Sequence, residues 1–368
     1  MELCPGRYVG ESFSPFVIAE IGQNHQGCIK TAKQMILAAK SAGVDCVKFQ
    51  KSSLGSKFSK SALEAPYPGP NSWGATYGEH KQFLEFSESQ FKELQEYARS
   101  VDIPLTASCM DEDSASFLNS VNVPFFKIGS GDVNNIPLIE KVCKMGRPVV
   151  LSTGMASMNW VKIIVKAALA ALGSGDSSAE KSADDKKPVS TGVSRLVLLQ
   201  CTSSYPCLAA DTNLRVILTY KQIFPTIHIG YSGHEIGLGI SLKAASLGAA
   251  VIERHFTLDK TQKDQIYLKL LVYHIRRKTD LMLLREIVAK EELEEAESFD
   301  GEKRFLDCER ACYTKLGKTL VTSSAVKNGD ILTHSSYKIK VTQPLGIDPR
   351  DMHKYLGMVF KGTLKVLI

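Results

Sequence analysis

The segment at residues 230–260 contains two histidines, His234 and His255, which stand 21 positions apart. Neutral imidazole is the commonest metal-binding side chain of proteins, and a structural zinc site takes four protein ligands. Two histidines leave coordination positions for water or substrate oxygens, which suits a metal that acts as a Lewis acid on a bound carbonyl. The alternative is a pair of hydrogen-bonded histidines without a metal, and the spacing alone leaves both open.

Two lysines and several hydroxyl side chains form a second group that could do chemistry. The lysines are Lys48 and Lys127. The hydroxyl groups belong to Thr106, Ser130, Ser152 and Ser232. Such a set is typical of a phosphate-binding site, because ammonium groups supply charge and hydroxyls supply directional donors. A Schiff-base lysine is the rival interpretation, and Glu20 would be an acid, a base or an anchor for sugar hydroxyls. The plain alternative for each residue is a strand end that faces solvent.

Eight short apolar runs recur along the chain, separated by segments with helical periodicity. The runs are residues 16–22, 45–51, 103–109, 124–130, 148–154, 196–202, 228–233 and 250–256. Alternating strands and helices predict parallel strands joined by right-handed crossovers. Eight such units predict a (β/α)8 TIM barrel. A doubly wound open sheet is the second choice, but no G-x-G-x-x-G follows the first strand.

The predicted strands begin apolar and end in polar residues. Barrel active sites lie at this carboxyl end and take side chains from many strands. His234 closes the seventh strand and His255 closes the eighth. The gap between them holds one loop, one helix and one strand, which returns the chain beside its starting point. We therefore expect both imidazoles to face one cavity, together with the lysines and the hydroxyls.

Two segments depart from the barrel pattern. Residues 172–192 are small, polar and charged, which predicts a disordered loop insertion. After about residue 300, short alternating runs around a Lys-Asn-Gly-Asp turn predict a small, mostly β domain. The expected division is a barrel domain at 1–298, whose acidic helical stretch at 280–298 is the linker, and a C-terminal domain at 305–368.

Composition excludes several classes of function. The net charge of +6 is spread over the chain without a continuous basic stripe, which argues against nucleic acid as a partner. No apolar run reaches the ~20 residues that span a bilayer, and no signal peptide is visible. The nine cysteines contain no C-x-x-C pair. Reduced thiols are expected, which favours a cytoplasmic protein that does not associate with membranes.

Eight motifs closely resemble those of the sialic acid (N-acetylneuraminate) synthases, in particular the animal form. They are AEIGQNHQG, VKFQKS, YGEHKQFLEFS, FFKIGSGD, LSTGM, CTSSYP, GYSGHE and ERHFTLDK. The resemblance covers nearly the whole chain, and the C-terminal TKLGKTLV and GDIL are similar to the family's antifreeze-like (SAF) domain. In that family the SAF domain caps the barrel of a partner subunit, so the resemblance implies a domain-swapped homodimer.

The resemblance implies a transferase that condenses phosphoenolpyruvate with N-acetylmannosamine 6-phosphate, or with N-acetylmannosamine, and releases phosphate. His234 and His255 match the ligands of a divalent cation, Mn²⁺ or Mg²⁺, that polarises the open-chain sugar aldehyde. The positions that match the phosphoenolpyruvate site are Lys48, Thr106, Lys127, Ser130, Ser152, Ser203 and Ser232. Those near the amino sugar or the metal-bound water are Glu20, Gln50, Asp132 and Tyr205. Catalytic roles are expected of Glu20, Lys48, Lys127 and Asp132.

Residues 264–279 depart from the family's pattern. Asp264 stands in for a sugar-binding aspartate, but the glycine before it and a Ser-Leu-Glu-Pro turn after it are absent. The segment is instead apolar, with Leu268, Leu270 and Leu271 in near succession. We therefore expect phosphoenolpyruvate and metal to bind and the sugar to bind weakly. The second hypothesis, of a different class, is a catalytically impaired homologue that retains ligand binding.

Overall fold

The computed structural model describes residues 1–70, 72–173, 195–258 and 290–362. A hairpin of β1 (Glu2–Cys4) and β2 (Arg7–Tyr8) comes first. The eight strands that follow are β3 (Phe16–Gly22), β4 (Cys46–Lys51), β5 (Leu105–Cys109), β6 (Phe126–Ile128), β7 (Val149–Ser152), β8 (Leu196–Cys201), β9 (His228–Gly233) and β10 (Val251–His255). They pair in parallel and in sequence order, and β10 returns to β3, so the sheet is a closed barrel. The predicted TIM barrel is confirmed, and the open sheet is wrong.

Helices surround the barrel. They are α1 (Ile29–Ala42), α2 (Leu54–Lys57), α3 (Lys60–Glu64), α4 (Tyr77–Leu84), α5 (Glu88–Ser100), α6 (Glu112–Ser120), α7 (Ile136–Lys144), α8 (Met158–Ala171), α9 (Ala209–Thr212), α10 (Arg215–Ile223) and α11 (Gly239–Ser246). The sequence sets the start of α5 through a capping box between Ser87 and Gln90, and such a cap contributes about 1 kcal/mol. Phe91, Leu94 and Ala98 recur at helical spacing and bury one face of α5 against the barrel.

Two layers of side chains fill the barrel interior. The lower layer is apolar and consists of Phe16, Ile18, Cys46, Phe125, Val150, Val197, Leu199 and Val251, with the β1–β2 hairpin packed below it. Successive residues of a strand point to opposite faces. The next inward positions on the same strands are therefore Glu20, Lys48, Lys127, Ser152, Cys201 and Glu253, all of them buried. The polar layer therefore packs directly on the apolar layer.

The C-terminal region lies over the carboxyl end of the barrel strands. Its elements are α12 (Lys290–Ala296), α13 (Arg310–Leu316), β11 (Lys318–Thr322) and β12 (Tyr337–Val341), and the two strands form an antiparallel pair. The Val341 carbonyl accepts a hydrogen bond from the Ser59 amide at 2.9 Å. The Arg350 guanidinium donates to the Met155 carbonyl at 3.2 Å. The predicted β structure after residue 300 is therefore present as a two-stranded sheet that contacts the barrel mouth.

Some sequence predictions concern residues that the structure does not describe. Only Leu172 and Gly173 of the predicted insertion at 172–192 are described. Asp264 and the rest of segment 264–279 also lie outside the described residues. Of the predicted acidic helix at 280–298, only residues 290–298 are described, and α12 lies among them. Within the described ranges, no helix is both long enough and apolar enough to cross a membrane.

Candidate active site

A cavity of about 120 Å³ opens at the carboxyl end of the barrel. Twelve of the fourteen predicted site residues line it: Glu20, Lys48, Gln50, Lys127, Ser130, Asp132, Ser152, Ser203, Tyr205, Ser232, His234 and His255. Thr106 lies beneath it, where its hydroxyl donates to the Phe125 carbonyl at 2.6 Å. The fourteenth, Asp264, is not described. The strands therefore bring together, at one end of the barrel, side chains that are up to 235 positions apart in sequence.

The floor of the cavity is a layer of two lysines and two glutamates. The Lys48 ammonium group forms an ion pair with Glu20 and lies 3.7 Å from Glu253. Glu253 also lies 3.5 Å from the Lys127 ammonium group. All four side chains are nearly inaccessible to solvent. The formal charges of the four groups sum to zero, and the attraction between them offsets part of the cost of removing them from water.

The two glutamates have opposite pKa shifts. Burial raises the pKa of Glu20, and the neighbouring Glu253 adds to this effect, although Lys48 opposes it. Burial also disfavours the charged form of Glu253, but Lys127 and Lys48 outweigh burial and lower its pKa to about 2. Two carboxyl groups with separated pKa values are a frequent sign of different roles in acid–base chemistry. The shifts favour the ionised form of Glu253 and the protonated form of Glu20, which makes Glu20 the better candidate for proton exchange.

Hydroxyl groups complete the floor. The Lys127 ammonium group donates to the Ser152 hydroxyl at 2.8 Å, and Lys48 donates to the Ser108 hydroxyl at 2.9 Å. The Ser203 hydroxyl is buried and has no hydrogen-bond partner among the described residues. A buried hydroxyl without a partner carries a free-energy cost that a bound ligand would remove. Lysines and a free hydroxyl on one floor can bind an anion.

A glycine makes room for these hydroxyl groups. The Gly154 amide donates to the Ser130 hydroxyl at 3.0 Å. A Cβ atom at position 154 would lie 2.6 Å from the Ser130 hydroxyl and in still closer contact with that of Ser203. Real Cβ atoms do not approach so closely, so the two serines can share the cavity wall only because residue 154 has no side chain.

The two histidines stand together at the cavity rim, with ring centroids 5.5 Å apart. His234 Nδ1 lies 2.8 Å from the Thr202 carbonyl, which can only accept, so Nδ1 carries the proton. His234 Nε2 lies 2.8 Å from the Tyr205 hydroxyl, which donates to the Nε2 lone pair when the ring is neutral. Metal-binding histidines commonly donate their other ring nitrogen to a carbonyl in this way. Burial, with the nearby charge of Lys48, lowers the pKa of His255 to about 3 and keeps that ring neutral.

These histidines suit a metal, but they provide few ligands. Within the described ranges, no group of three or more His, Cys, Asp and Glu side chains is arranged to hold a metal ion. A metal held here would take one nitrogen from His234 and one from His255. Any further ligands would be oxygen atoms of water or substrate, as the sequence spacing predicts.

Asp132 faces the cavity from the turn after β6 and meets the C-terminal region there. Its carboxylate forms a buried ion pair with the Lys318 ammonium group at 2.9 Å. Asn134, two residues later, donates to the Lys318 carbonyl at 3.1 Å. Lys318 opens β11, so the C-terminal sheet supplies part of the cavity wall.

Glu309 connects the C-terminal region to the cavity wall through hydrogen bonds. It is completely buried. Its Oε1 atom accepts hydrogen bonds from the backbone amides of Met155 at 2.7 Å and Ser203 at 2.8 Å. Its Oε2 atom accepts from the Leu306 amide at 3.0 Å. Because Met155 and Ser203 both line the cavity, this one carboxylate connects the loops after β7 and β8.

Reasoning from the sequence assigned no role to several cavity residues. Glu253 and Ser108 belong to the polar strand ends that the sequence predicts at the site, and each lies two positions from a predicted site residue on the same strand, so it faces the same side. Lys57, Glu309 and Lys318 had no such signal, because they lie outside the barrel strands and reach the mouth through tertiary packing.

Comparisons with known proteins agree with this architecture. A model described as the NeuB family matches residues 35–266. The chain is 47% identical over 357 residues to the N-acetylneuraminate-9-phosphate synthase of Homo sapiens, covering 97% of this chain and 91% of that protein. It is 43% identical to the protein of the same name from Drosophila melanogaster, covering 94% of this chain and 91% of the relative.

Among solved structures, a spore coat polysaccharide biosynthesis protein of Bacillus subtilis superposes with a TM-score of 0.73 at 25% identity. The superposition covers 98% of this chain and 94% of that chain. A Leptospira borgpetersenii N-acetylneuraminic acid synthetase superposes with a TM-score of 0.58 at 27% identity, covering 82% of this chain and 91% of the other. The closed barrel, the cavity at its carboxyl end and these matches place the chain in the NeuB family.

Proposed function

We propose that this protein is a sialic acid synthase that joins phosphoenolpyruvate to N-acetylmannosamine 6-phosphate. The relatives with 47% and 43% identity are named N-acetylneuraminate-9-phosphate synthases. The observation that carries the proposal is the cavity, in which an anion-binding floor lies beside the paired rings of His234 and His255. Such a site can hold an anionic enol ester next to a polarised aldehyde.

The reaction forms one carbon–carbon bond, adds the oxygen of water to C2 and breaks the carbon–oxygen bond to phosphate. C3 of phosphoenolpyruvate attacks the aldehyde carbon of the open-chain sugar, and the aldehyde oxygen takes up a proton. Water adds to C2 and gives up a proton, and phosphate then leaves C2 by C–O cleavage. The products are N-acetylneuraminate 9-phosphate and phosphate. The enzyme therefore needs a residue that exchanges protons and cations that hold the leaving phosphate.

The residues on the floor fit these tasks. Glu20, whose pKa is raised, is our candidate for the proton exchange. The acidic partners of Lys48 outweigh burial and raise its pKa, so it stays an ammonium ion, the form that binds anions and does not attack carbonyls. Lys48, Lys127, Ser152 and Ser203 would bind phosphoenolpyruvate, and Gln50, Tyr205 and Asp132 would face the sugar. Asp264, which is not described, keeps its proposed sugar contact.

We propose Mn²⁺ or Mg²⁺ as the cofactor, held by His234 and His255. When bound, the metal would polarise the carbonyl oxygen of the sugar aldehyde. The residues fit this role because the Thr202 carbonyl holds the proton on Nδ1 of His234. A metal would then replace the Tyr205 hydroxyl as the partner of Nε2. Titration of the protein with Mn²⁺, read by the paramagnetic signal of free Mn²⁺, tests this. Unchanged binding by His234→Ala would refute the assignment.

We also propose the two-domain division at 1–298 and 305–368, with the second domain of the SAF type, and a homodimer that exchanges it. In the single chain this region contacts its own barrel. Domain swapping would exchange identical contacts between subunits. Coexpression of His234→Ala with Lys318→Met tests the exchange. In a swapped dimer that contains one chain of each variant, the intact barrel of one chain meets the intact C-terminal region of the other, so activity is recovered. No recovery of activity would exclude swapping.

A cytoplasmic location is proposed on the state of the cysteines. All nine are free thiols, and six of them are buried. Unpaired thiols are typical of a reducing compartment. Recovery of a tagged full-length chain from the secretory pathway would contradict this proposal.

The experiment that tests the function is incubation of the protein with phosphoenolpyruvate, Mn²⁺ and each sugar, with free phosphate as the readout. We expect release that depends on all three components. If neither N-acetylmannosamine 6-phosphate nor N-acetylmannosamine leads to phosphate release, the proposal is overturned. The hypothesis of an impaired homologue was based on segment 264–279, which lies outside the described residues, and no observation favours it.

A further inference from the structure

A cluster of four lysines surrounds one side of the cavity mouth. Lys57 and Lys318 line the cavity itself, and they are only 7% and 1% exposed. Lys81 and Lys315 lie behind them, over the rings of Tyr77 at 5.4 Å and Tyr67 at 5.5 Å. We call these four residues the basic cluster. They are distinct from Lys48 and Lys127 on the floor.

The two cavity-lining ammonium groups converge on one residue, Met110. The Lys57 ammonium group lies 2.8 Å from the Met110 sulfur, which is a weak acceptor. The Lys318 ammonium group donates to the Met110 carbonyl at 3.3 Å and pairs with Asp132. Among the described residues, Lys57 forms no ion pair with any carboxylate. A nearly buried lysine without a counter-ion is costly, so its place on a cavity wall calls for an anion from outside.

The members of the cluster also repel one another. Burial, with the charges of Lys318 and Lys81, lowers the pKa of Lys57 to about 7, although Asp132 and Glu85 oppose this. Burial and Lys315 lower the pKa of Lys81 to about 8. The nearby carboxylates have other partners, since Asp132 pairs with Lys318 and Glu85 accepts from Lys51 and Ser52. A dianion between Lys57 and Lys318 would relieve this repulsion.

The cluster and the histidines lie on opposite sides of the barrel mouth. Lys57, Met110 and Asp132 follow β4, β5 and β6, whereas His234 follows β9. In the closed ring, β5 is four strands away from β9 in either direction. An open-chain hexose has its aldehyde at C1 and its phosphate, when present, at the far end on C6. With the aldehyde at the histidines, C6 would extend toward the cluster.

We propose that Lys57 and Lys318 form the subsite for the 6-phosphate of the sugar substrate, separate from the phosphoenolpyruvate site on the floor. This inference rests on the proposed function and adds to it the residues that select a phosphorylated sugar. The reaction brings two phosphorylated substrates together, and the cavity offers one pair of lysines for each. Charge-assisted contacts to a phosphate group provide both affinity and selection.

The test compares Lys57→Met with Lys57→Arg, and uses Lys60→Met as the matched control. Lys60 is an exposed lysine on α3 that forms an ion pair with Glu64 on the same helix. We expect Lys57→Met to raise KM for N-acetylmannosamine 6-phosphate by about 10- to 100-fold relative to KM for N-acetylmannosamine. Lys57→Arg should recover part of this selectivity, and Lys60→Met should not change it. An equal effect of Lys57→Met on both sugars, or none, overturns the proposal.

Direct binding separates failure of this inference from failure of the proposed function. The wild-type protein and Lys57→Met are titrated calorimetrically with N-acetylmannosamine 6-phosphate and with N-acetylmannosamine, without phosphoenolpyruvate. We expect the phosphorylated sugar to bind the wild type more tightly and to lose this advantage in the variant. Preferential binding of the phosphorylated sugar without turnover would refute the proposed synthase function but support the phosphate subsite. If the protein turns over and Lys57→Met does not change the affinity for the phosphorylated sugar, the subsite is refuted and the synthase function stands.

Discussion

The Glu309 carboxylate accepts a hydrogen bond from the Ser203 amide at 2.8 Å, although 106 positions separate the two residues in the chain. The same oxygen accepts from the Met155 amide. One buried carboxylate from the C-terminal region thus holds two loops that line the cavity. Formation of the proposed phosphoenolpyruvate site therefore depends on the docking of residues outside the barrel.

We predict that Glu309→Ala lowers the free energy of unfolding by about 3 kcal/mol, because buried amides lose their acceptor. It should also raise KM for phosphoenolpyruvate, since the Ser203 loop is released. Urea unfolding and steady-state kinetics measure the two effects. Glu309→Gln, which keeps one acceptor oxygen, is the control and should be milder in both. A stability change in Glu309→Ala below about 0.5 kcal/mol, the range of ordinary surface substitutions, would contradict this role.

Gly154→Ala should damage phosphoenolpyruvate binding with little effect on the fold elsewhere. The new methyl group would collide with the hydroxyls of Ser130 and Ser203 and push them from their places. A displacement of about 1 Å in a site can cost ~100-fold in rate, so we expect a loss of that order in kcat/KM for phosphoenolpyruvate. Gly131→Ala is a milder comparison, since its Cβ would lie 3.3 Å from the Leu316 side chain. Equal kinetics for Gly154→Ala and wild type would refute the crowding argument.

His234→Ala and His255→Ala should each abolish turnover while the barrel stays folded. Each removes one of two nitrogen ligands from a site with few protein ligands. Phosphate release gives the activity, and circular dichroism checks the fold. Exhaustive chelation of the wild type should give the same loss, and added Mn²⁺ should restore it. Activity that survives either substitution or chelation would show that the histidines are structural.

Glu253 should stabilise the fold in a manner that depends on pH. Its pKa is lowered from 4.5 to about 2, so its contribution is complete above pH 4.5 and disappears as the pH falls toward 2. By linkage the shift is worth about 3 kcal/mol. We predict that the difference in unfolding free energy between wild type and Glu253→Gln is large at pH 6 and narrows between pH 4.5 and pH 2. A difference independent of pH would argue against a permanently ionised Glu253.

Lys57 should lower the free energy of unfolding at neutral pH, and this effect should disappear as the pH rises. Its pKa is lowered from 10.5 to about 7, so between these values the unfolded chain binds more protons than the folded protein. The free energy of unfolding therefore rises with pH across this window. We predict that Lys57→Met loses this rise relative to wild type, whereas Lys60→Met retains it. Parallel pH profiles for the wild type and Lys57→Met would mean that Lys57 is not held in a buried, cationic environment.

The barrel could be predicted from the sequence because each unit repeats the same local signal. A run such as residues 16–22 is apolar and bounded by turn residues, and the structure places β3 at those same positions. Parallel strands then align their carboxyl ends, which is why residues as distant as Glu20 and His255 could be assigned to one cavity. They are directly paired across β3 and β10.

What the sequence did not indicate depends on packing between distant segments. The zero net charge of the floor depends on Glu253 meeting both lysines, and only the register of the closed barrel determines that contact. Lys318 reaches Asp132 because the C-terminal region folds back over the mouth. Thr106 is a different case: its strand position was right, but its hydroxyl bonds a neighbouring carbonyl below the cavity.

The most direct test of the account uses phosphoenolpyruvate labelled with ¹⁸O in the oxygen that bridges C2 and phosphorus. The protein is incubated with this compound, Mn²⁺ and N-acetylmannosamine 6-phosphate, and the released phosphate is analysed by mass spectrometry. Condensation followed by C–O cleavage predicts that phosphate appears only when the sugar is present and that it carries the label. Phosphate released without sugar, or released without the label, would contradict the assignment as a sialic acid synthase.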